Sequence, residues 1–191
     1  MSHRRDPARF AADSGQVDPG AVVIRAVPVQ DVLPLRRAVL RAGLPAHESD
    51  YEPDRDPATV HLAAVDPSGQ VLGCSTWFPQ PWRGTPAWRL RGMATAPAAR
   101  GTGLGGRLLE AGMALAHESG AAVLWCNART SALGFYRRYG FRTDGDEFVT
   151  AHGIPHYVMW RPLADQHAGP HEQPDEGPRT VNAPNPPGPE R

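Results

Sequence analysis

The sequence predicts a mixed α/β domain in which antiparallel hairpins at both ends enclose one strand-helix-strand unit. Two apolar segments, 59–65 and 70–78, flank the Asp-Pro-Ser-Gly turn over 66–69, an arrangement typical of an antiparallel hairpin. Farther along, a strand over 88–95 is followed by a glycine-rich run and by a helix whose apolar side chains recur at helical spacing. A short buried strand over 122–126 comes next, which completes the strand-helix-strand unit.

The remaining elements follow from the same patterns. A β-branched strand is predicted over 21–27, and a helix starts near Asp31. Gly120 and Gly140 are placed where glycine commonly follows the end of a helix, which predicts that one helix ends at Gly120 and another runs over 130–139. Two final strands are predicted around 141–150 and 157–160.

Both ends of the chain differ in composition from the middle. Residues 164–191 hold seven of the 21 prolines, no aromatic residue and one branched aliphatic residue, Val181. Such a segment cannot bury enough apolar surface to offset the entropy lost on ordering. We therefore predict a disordered proline-rich tail over 164–191, a flexible segment over 1–20 and one domain over 21–163.

The charge composition argues against several classes of function. The 191 residues include 20 basic and 20 acidic side chains, and this balance argues against a nucleic-acid-binding surface. Every basic residue is arginine, which excludes a lysine Schiff base and the lysine of a P-loop. The longest apolar run is six residues, over 121–126, whereas a membrane-spanning helix needs about 20. No apolar leader follows the charged N-terminus, so a cytoplasmic protein without membrane contact is expected.

The cysteines and histidines do not form a recognisable metal pattern. Cys74 and Cys126 lie in apolar strand-like segments, which predicts buried, unpaired side chains and not a disulfide or a nucleophile. His152 and His156 have a spacing of four, but a glycine and a proline between them prevent the helix that would bring both to one metal ion. We predict no metal.

The run over 100–106, Arg-Gly-Thr-Gly-Leu-Gly-Gly, connects a predicted strand to a predicted helix. Free backbone N–H groups and the helix dipole attract an anion at such a position, and glycines let a pyrophosphate approach the backbone. Gly101, Gly103 and Gly106 fit the dinucleotide pattern G-x-G-x-x-G, but the next strand ends in Cys-Asn-Ala-Arg and lacks the acidic residue that would bind a ribose. A phosphate-bearing ligand other than a nicotinamide dinucleotide is favoured.

Arg100, Gly103 and Gly105 also satisfy the pattern R/Q-x-x-G-x-G/A. Together with Leu-Arg-Gly-Met-Ala-Thr at 90–95 and Ala-Leu-Gly-Phe-Tyr-Arg-Arg-Tyr-Gly-Phe at 132–141, this pattern resembles the GCN5-related N-acetyltransferase (GNAT) superfamily. The resemblance covers about residues 21–163. It implies an α/β (α+β) fold with a mixed, mostly antiparallel central sheet flanked by helices, and acetyl-CoA as the acyl donor.

The resemblance also implies where acetyl-CoA binds. Its pantetheine arm would lie along Met93, Ala94 and Thr95, where the fourth and fifth strands separate, and a backbone N–H of Met93 or Ala94 would polarise the thioester carbonyl. The pyrophosphate would be held by the loop residues Arg100, Gly101, Thr102, Gly103, Leu104 and Gly105. The family often has an asparagine at the position of Arg129, so either Arg129 or Asn127 would contact the arm.

Tyr136 stands where the family commonly places its general acid, which protonates the leaving thiolate. Tyr139, one turn along, is the competing tyrosine. Many members carry a glutamate on the fourth strand, but residues 88–93 contain no acidic side chain. The general base is therefore left open among four residues: His61, Glu147, His152 and His156.

The acceptor implied by the resemblance is the amine of a small molecule or peptide, in a pocket expected from segments 41–57 and 142–156. Asp144, Asp146 and Glu147 lie in the second segment, which suggests a cationic amine as a hypothesis and a solvated turn as its alternative. A non-catalytic acyl-CoA-binding sensor is the alternative function. The assembly is left open, with a homodimer among the alternatives.

Overall fold

The structure is a computed structural model that describes residues 21–43 and 50–163. The segments predicted at 1–20 and 164–191 lie outside the described residues, as do residues 44–49 of the expected acceptor segment. The described elements, in chain order, are β1 (Val23–Val27), α1 (Val29–Leu40), β2 (Val60–Val65), β3 (Val71–Pro79), β4 (Ala87–Thr95), α2 (Leu104–Glu118), β5 (Val123–Arg129), α3 (Leu133–Arg138), β6 (Arg142–Val149) and β7 (Pro155–Pro162).

The seven strands form one sheet in the order β1-β2-β3-β4-β5-β7-β6. Every neighbouring pair is antiparallel except β4 and β5, which run parallel. Parallel neighbours need a crossover connection, and α2 supplies it. The structure therefore confirms the predicted fold class, a mixed and mostly antiparallel sheet flanked by helices.

Two adjacent residues of β3 show how α1 and α2 cover opposite faces of the sheet. Arg36 of α1 donates a hydrogen bond to the Thr76 hydroxyl at 2.5 Å. The Trp77 ring lies so close to Gly112 of α2 that no Cβ would fit there. Because consecutive strand residues point to opposite faces, α1 lies on one face, here named the α1 face, and α2 lies on the other.

Several element boundaries differ from the sequence predictions, among them those of the first helix and of β5. The helix expected near Asp31 begins at Val29, because Pro28 takes an extended conformation and Asp31 falls in the first turn. Strand β5 continues to Arg129 and not only to Cys126, since β7 pairs with it along its whole length. Both helix-ending glycines were correctly predicted: Gly120 and Gly140 have φ values of 76° and 78°.

Both cysteines lie in the core, as predicted. Cys74 and Cys126 are buried and unpaired, and burial raises the pKa of each thiol to about 12. Neutral thiols of this kind pack as small apolar groups and do not act as nucleophiles. Across residues 21–43 and 50–163, no helix is both long enough and apolar enough to cross a membrane.

Candidate active site

The central feature is a wedge between the two parallel strands. Strands β4 and β5 pair from Ala87 and Val123 up to Leu90 and Cys126, and the pairing stops there although both strands continue. A cavity of about 190 Å³ lies at this opening, lined by residues of both strands and by Tyr136 of α3. The separation of the fourth and fifth strands that the resemblance implies is therefore present.

A β-bulge shapes the β4 side of the wedge. The pairing of β3 with β4 shifts register so that Gly92 and Met93 oppose a single residue, Ser75. Gly92 has a φ of 57°. A Cβ there would lie 2.9 Å from Arg36 Nε and 3.1 Å from the Tyr51 ring. The bulge thus requires glycine for both conformation and space.

Tyr136 closes the inner side of the wedge. Its side chain is buried, and its hydroxyl donates to Met93 Sδ at 3.7 Å. Burial, and secondarily the neighbouring Cys126, raise the pKa of Tyr136 well above its ordinary value. The phenol therefore keeps its proton at neutral pH and is already directed at a sulfur atom of β4.

The competing tyrosine has a different environment. The hydroxyl of Tyr139 packs against Gly106 in the first turn of α2 and leaves no room for a Cβ at that glycine. Tyr139 does not line the cavity, whereas Tyr136 does. Tyr139 is thus a packing residue, whereas Tyr136, one helical turn before it, faces the cavity.

The glycine loop forms an uncapped helix start. Gly103, the N-cap of α2, has a φ of 82°, and Gly101 has a φ of 80°. No side chain caps this end of α2, and its first turn contains no acidic residue. Thr102 donates its hydroxyl hydrogen to Ala99 O at 2.8 Å, which ties the loop to the preceding turn. The first N–H groups of α2 are left for a ligand or water.

This helix start adjoins the end of β4. A Cβ on Gly105 would lie 3.6 Å from Thr95 Oγ1 and 3.8 Å from Met93 Cε. Of the residues that the sequence assigned to acetyl-CoA, Met93, Asn127 and Arg129 line the cavity. The other predicted residues do not line the cavity. They lie at the end of β4, in the glycine loop and at the start of α2: Ala94, Thr95, Arg100, Gly101, Thr102, Gly103, Leu104 and Gly105.

The two residues offered for contact with the pantetheine arm differ in their partners. Arg129 Nη2 donates to the carbonyl oxygen of Leu40 at 3.0 Å, so this guanidinium joins β5 to the end of α1. Asn127 is exposed and lines the cavity. Asn127 is thus the more available of the two.

Sequence reasoning missed the charge of the cavity. Four arginines line it: Arg41, Arg89, Arg91 and Arg129. None of its described lining residues is Asp or Glu. The Arg89 guanidinium stacks 4.1 Å from the centre of the Trp125 ring, and that of Arg91 lies 4.1 Å from the centre of the Tyr51 ring. The alternation of Arg89 and Arg91 along a predicted strand is the one sequence signal that could have indicated this surface.

Three of the four residues considered as a general base lie outside the cavity: His61, Glu147 and His152. His61 is buried and bonded through Nδ1 to Thr76 Oγ1 at 3.1 Å, and burial lowers its pKa. The carboxylate of Glu147 accepts a hydrogen bond from the Thr130 hydroxyl at 2.7 Å.

His156 is the fourth of these residues, and it does line the cavity. Its Nδ1 lies 2.9 Å from the carbonyl oxygen of Ile154, and its ring stacks on Phe148. A carbonyl oxygen can only accept, so Nδ1 carries the proton of the neutral ring and Nε2 retains its lone pair.

The acidic hairpin does not contribute to the cavity. Asp144 forms an ion pair with Arg83 at 2.8 Å, and Asp146 and Glu147 are exposed. None of the three lines the opening. These carboxylates therefore do not contact the cavity, and the hypothesis that they attract a cationic amine stays a prediction. Within the described part of the chain, no three His, Cys, Asp or Glu side chains are grouped so as to hold a metal ion.

Comparisons with known proteins agree with this architecture. The family described as "Acetyltransferase (GNAT) domain" matches residues 56–143. YitI, an uncharacterized N-acetyltransferase of Bacillus subtilis (strain 168), is 29% identical over 143 residues, which cover 73% of this chain and 95% of YitI.

Two solved structures extend the likeness to the fold. A GCN5-related N-acetyltransferase from Kribbella flavida has a TM-score of 0.60 at 27% identity, covering 76% of this chain and 99% of that chain. An aminoglycoside 6′-N-acetyltransferase complexed with coenzyme A has a TM-score of 0.62 at 15% identity, covering 75% and 98%, a likeness of fold alone. With its sequence motifs, its sheet order and these relatives, this chain belongs to the GNAT acetyltransferase family.

Proposed function

We propose that the protein is an acetyl-CoA-dependent N-acetyltransferase that acts on the amine of a small molecule or peptide. The observation that carries the proposal is the wedge where β4 and β5 cease to pair, with the Tyr136 hydroxyl at its inner side and an uncapped helix start at its outer end. A cofactor with a thioester at one end and a pyrophosphate farther along matches these two features.

The pyrophosphate is assigned to the loop over 101–105. Backbone N–H groups at a helix start, together with the helix dipole, stabilise phosphate oxygens. The positive φ values of Gly101 and Gly103, with open space around both, support a close approach. The pantetheine arm is assigned to β4 over 93–95, with Asn127 as its partner on β5. That a member of the same fold was crystallised with coenzyme A supports this assignment.

The transfer itself needs a polarised carbonyl, a neutral amine and a proton for the leaving sulfur. The backbone N–H of Met93 or Ala94 polarises the thioester carbonyl. The amine nitrogen attacks the carbonyl carbon, so a C–N bond forms and the C–S bond breaks. A base takes one proton from the ammonium form to give the neutral amine, and the nitrogen releases a second proton to solvent as the amide forms. Tyr136 gives its phenolic proton to the departing thiolate. The products are an N-acetyl amide and the free thiol of CoA.

His156 is assigned as the general base. It is the one member of the four considered that lines the cavity, and its Nε2 keeps the lone pair that accepts a proton. The proton passes to Nε2 directly or through a water molecule. Tyr136 then recovers its proton from solvent and His156 releases the proton that it accepted to solvent, which restores the starting state.

Thiol release tests the proposal. The protein is mixed with acetyl-CoA and with each member of a panel of amines, and free thiol is followed together with the mass of the amine. Amine-dependent thiol release with an acetylated product is the expected result. Acetyl-CoA binding by calorimetry without thiol release from any amine would instead favour the non-catalytic acyl-CoA sensor.

A further inference from the structure

The arginines of the cavity point to the chemical class of the acceptor. We infer that the acceptor amine carries an anionic oxyacid group, a carboxylate or a phosphate, which is bound by Arg89 and Arg91 on the α1 face of β4. This inference rests on the proposed function, because it concerns the second substrate of the same site. It reverses the cationic acceptor that the acidic hairpin suggested.

Arg89 and Arg91 lie on one face because they are two residues apart on β4. Arg91 pairs in register with Thr76, whose hydroxyl accepts from Arg36 of α1, so this is the α1 face. Both arginines line the cavity. The side chains of Arg89 and Arg91 thus form a positively charged surface, here named the arginine wall, immediately before the bulge at Gly92.

Neither guanidinium is neutralised within the described residues. Arg89 Nη1 donates to the neutral amide oxygen of Gln80 at 3.0 Å, and Arg89 Nε is buried without a hydrogen-bond partner. Arg91 lies over the Tyr51 ring and forms no ion pair with a described carboxylate. The carboxylate of Asp54 is paired with Arg36 at 2.6 Å.

Two like charges that are half-buried side by side raise the free energy of the empty site. Burial and, secondarily, the adjacent Arg91 lower the pKa of Arg89 to about 10, and burial also lowers the pKa of Arg91. Both side chains are still charged at neutral pH. A planar oxyacid anion would supply the missing negative charge and accept several N–H hydrogen bonds at once.

The position of the arginines separates this anion from the phosphates of the cofactor. Arg91 precedes Met93 by two residues, whereas the glycine loop follows the end of β4 at Thr95. At about 3.3 Å per strand residue, Arg91 lies roughly 13 Å from Thr95 and about 7 Å from Met93 along the strand. An amine placed near the thioester at Met93 can therefore bring a nearby carboxylate or phosphate to the arginine wall.

The test compares acceptors that differ in one charged group. Glycine, L-alanine and L-phenylalanine are each paired with their amides, and phosphoethanolamine is paired with ethanolamine, so that the two sources of an anion are distinguished. Thiol release from acetyl-CoA gives kcat/KM for each member. We expect the anionic member of at least one pair to be preferred by about tenfold or more, which corresponds to about 1.4 kcal/mol. Amino acid amides have more free amine at neutral pH than the acids, so amine availability would favour the opposite result.

Arg91→Gln tests the assignment to the arginine wall. It should lower kcat/KM for the anionic member about tenfold, change that of the neutral member less than about twofold, and leave acetyl-CoA affinity unchanged. Arg91→Lys, which keeps a positive charge, should restore part of the preference. Arg83→Gln is the matched control, because Arg83 is exposed and paired with Asp144 outside the cavity.

The outcomes distinguish this inference from the proposed function. Thiol release at equal kcat/KM within every pair, or a preference for the neutral members, would overturn the anionic acceptor and leave the acetyltransferase intact. If no amine releases thiol, the acetyltransferase proposal fails, and calorimetry with N-acetylglycine and its amide in the presence of CoA decides the anion site. Binding of the charged probe alone, lost in Arg91→Gln, supports the site; no binding, or equal binding of both probes, overturns it.

Discussion

The two ends of β4 attract negative charge by different means. At its C-terminal end, the loop over 101–105 offers backbone N–H groups at an uncapped helix start and has no acidic residue in the first helical turn. On the other side of the bulge at Gly92, the guanidinium groups of Arg89 and Arg91 line the cavity. Backbone N–H groups at the first end are nearly independent of residue type and suit a ligand that is always the same. Side chains at the second end can be replaced one at a time by substitution, which suits a ligand that varies. We therefore propose that the cofactor binds at the first region and the variable acceptor at the second.

The largest expected effect comes from Gly103→Glu, which places a carboxylate where the loop would bind phosphate. Charge-assisted hydrogen bonds contribute about 1.5–3 kcal/mol each. Loss of two should weaken acetyl-CoA binding at least about 100-fold, since each 1.4 kcal/mol is about a factor of ten. Isothermal titration calorimetry measures this affinity directly.

Gly120→Glu is the matched control for that experiment. Gly120 also has a positive φ, of 76°, and open space around it, but it lies beyond the opposite end of α2. Both variants therefore carry the same backbone strain and the same added charge. Wild-type acetyl-CoA affinity in a folded Gly103→Glu protein would remove the loop from the cofactor site.

Tyr136→Phe tests the inner side of the wedge. Phenylalanine keeps the packing but removes the proton donor, so kcat should fall about 100-fold while acetyl-CoA affinity stays within about twofold. Tyr139→Phe should leave kcat nearly unchanged, because that hydroxyl packs against Gly106. Burial raises the pKa of Tyr136, so no loss of activity from its ionisation is expected below about pH 10. Equal kcat in the two variants would reassign Tyr136 to packing.

His156→Ala should have a pH-dependent effect on the acceptor side. A base is needed while the amine is protonated, so kcat/KM should fall about tenfold or more near neutral pH. The deficit should shrink as the pH rises and the free amine accumulates. His152→Ala, in the same hairpin but away from the cavity, serves as the control. A deficit that is constant across pH would contradict the assignment of His156 as the base.

The smallest effect is expected from neutralising the acidic hairpin. Asp146→Asn combined with Glu147→Gln should leave KM for the preferred acceptor within about twofold at low and high salt, because both side chains are exposed and neither lines the cavity. Steady-state kinetics at two ionic strengths gives the answer. A clear rise in KM for a cationic acceptor at low salt would instead support the hypothesis of a cationic substrate.

The sequence allowed the local features of this molecule to be predicted but not the charge of the cleft. The glycine loop, the hairpin turn over 66–69 and the helix-ending Gly120 each depend on neighbouring residues, and all three occur as predicted. The cavity combines Arg41, Arg89 and Arg129, which are far apart in the chain and meet only through sheet pairing and helix packing.

The acidic hairpin shows the converse difficulty. Asp144, Asp146 and Glu147 lie within four consecutive positions of the sequence and suggest a charged site. Their positions on β6, an edge strand, direct them to Arg83, to solvent and to Thr130 instead. Proximity along the chain thus does not decide which residues line the wedge, because strand order and not sequence order determines this.

The most direct test of the account is a crystal structure of the protein with CoA. We expect the pyrophosphate within hydrogen-bond distance of the backbone N–H groups over 101–105, the pantetheine arm beside 93–95, and the thiol sulfur between Met93 and the Tyr136 hydroxyl. CoA bound with its sulfur outside the wedge between β4 and β5, or with its pyrophosphate on Arg89 and Arg91, would contradict the assignment of the two ends of β4.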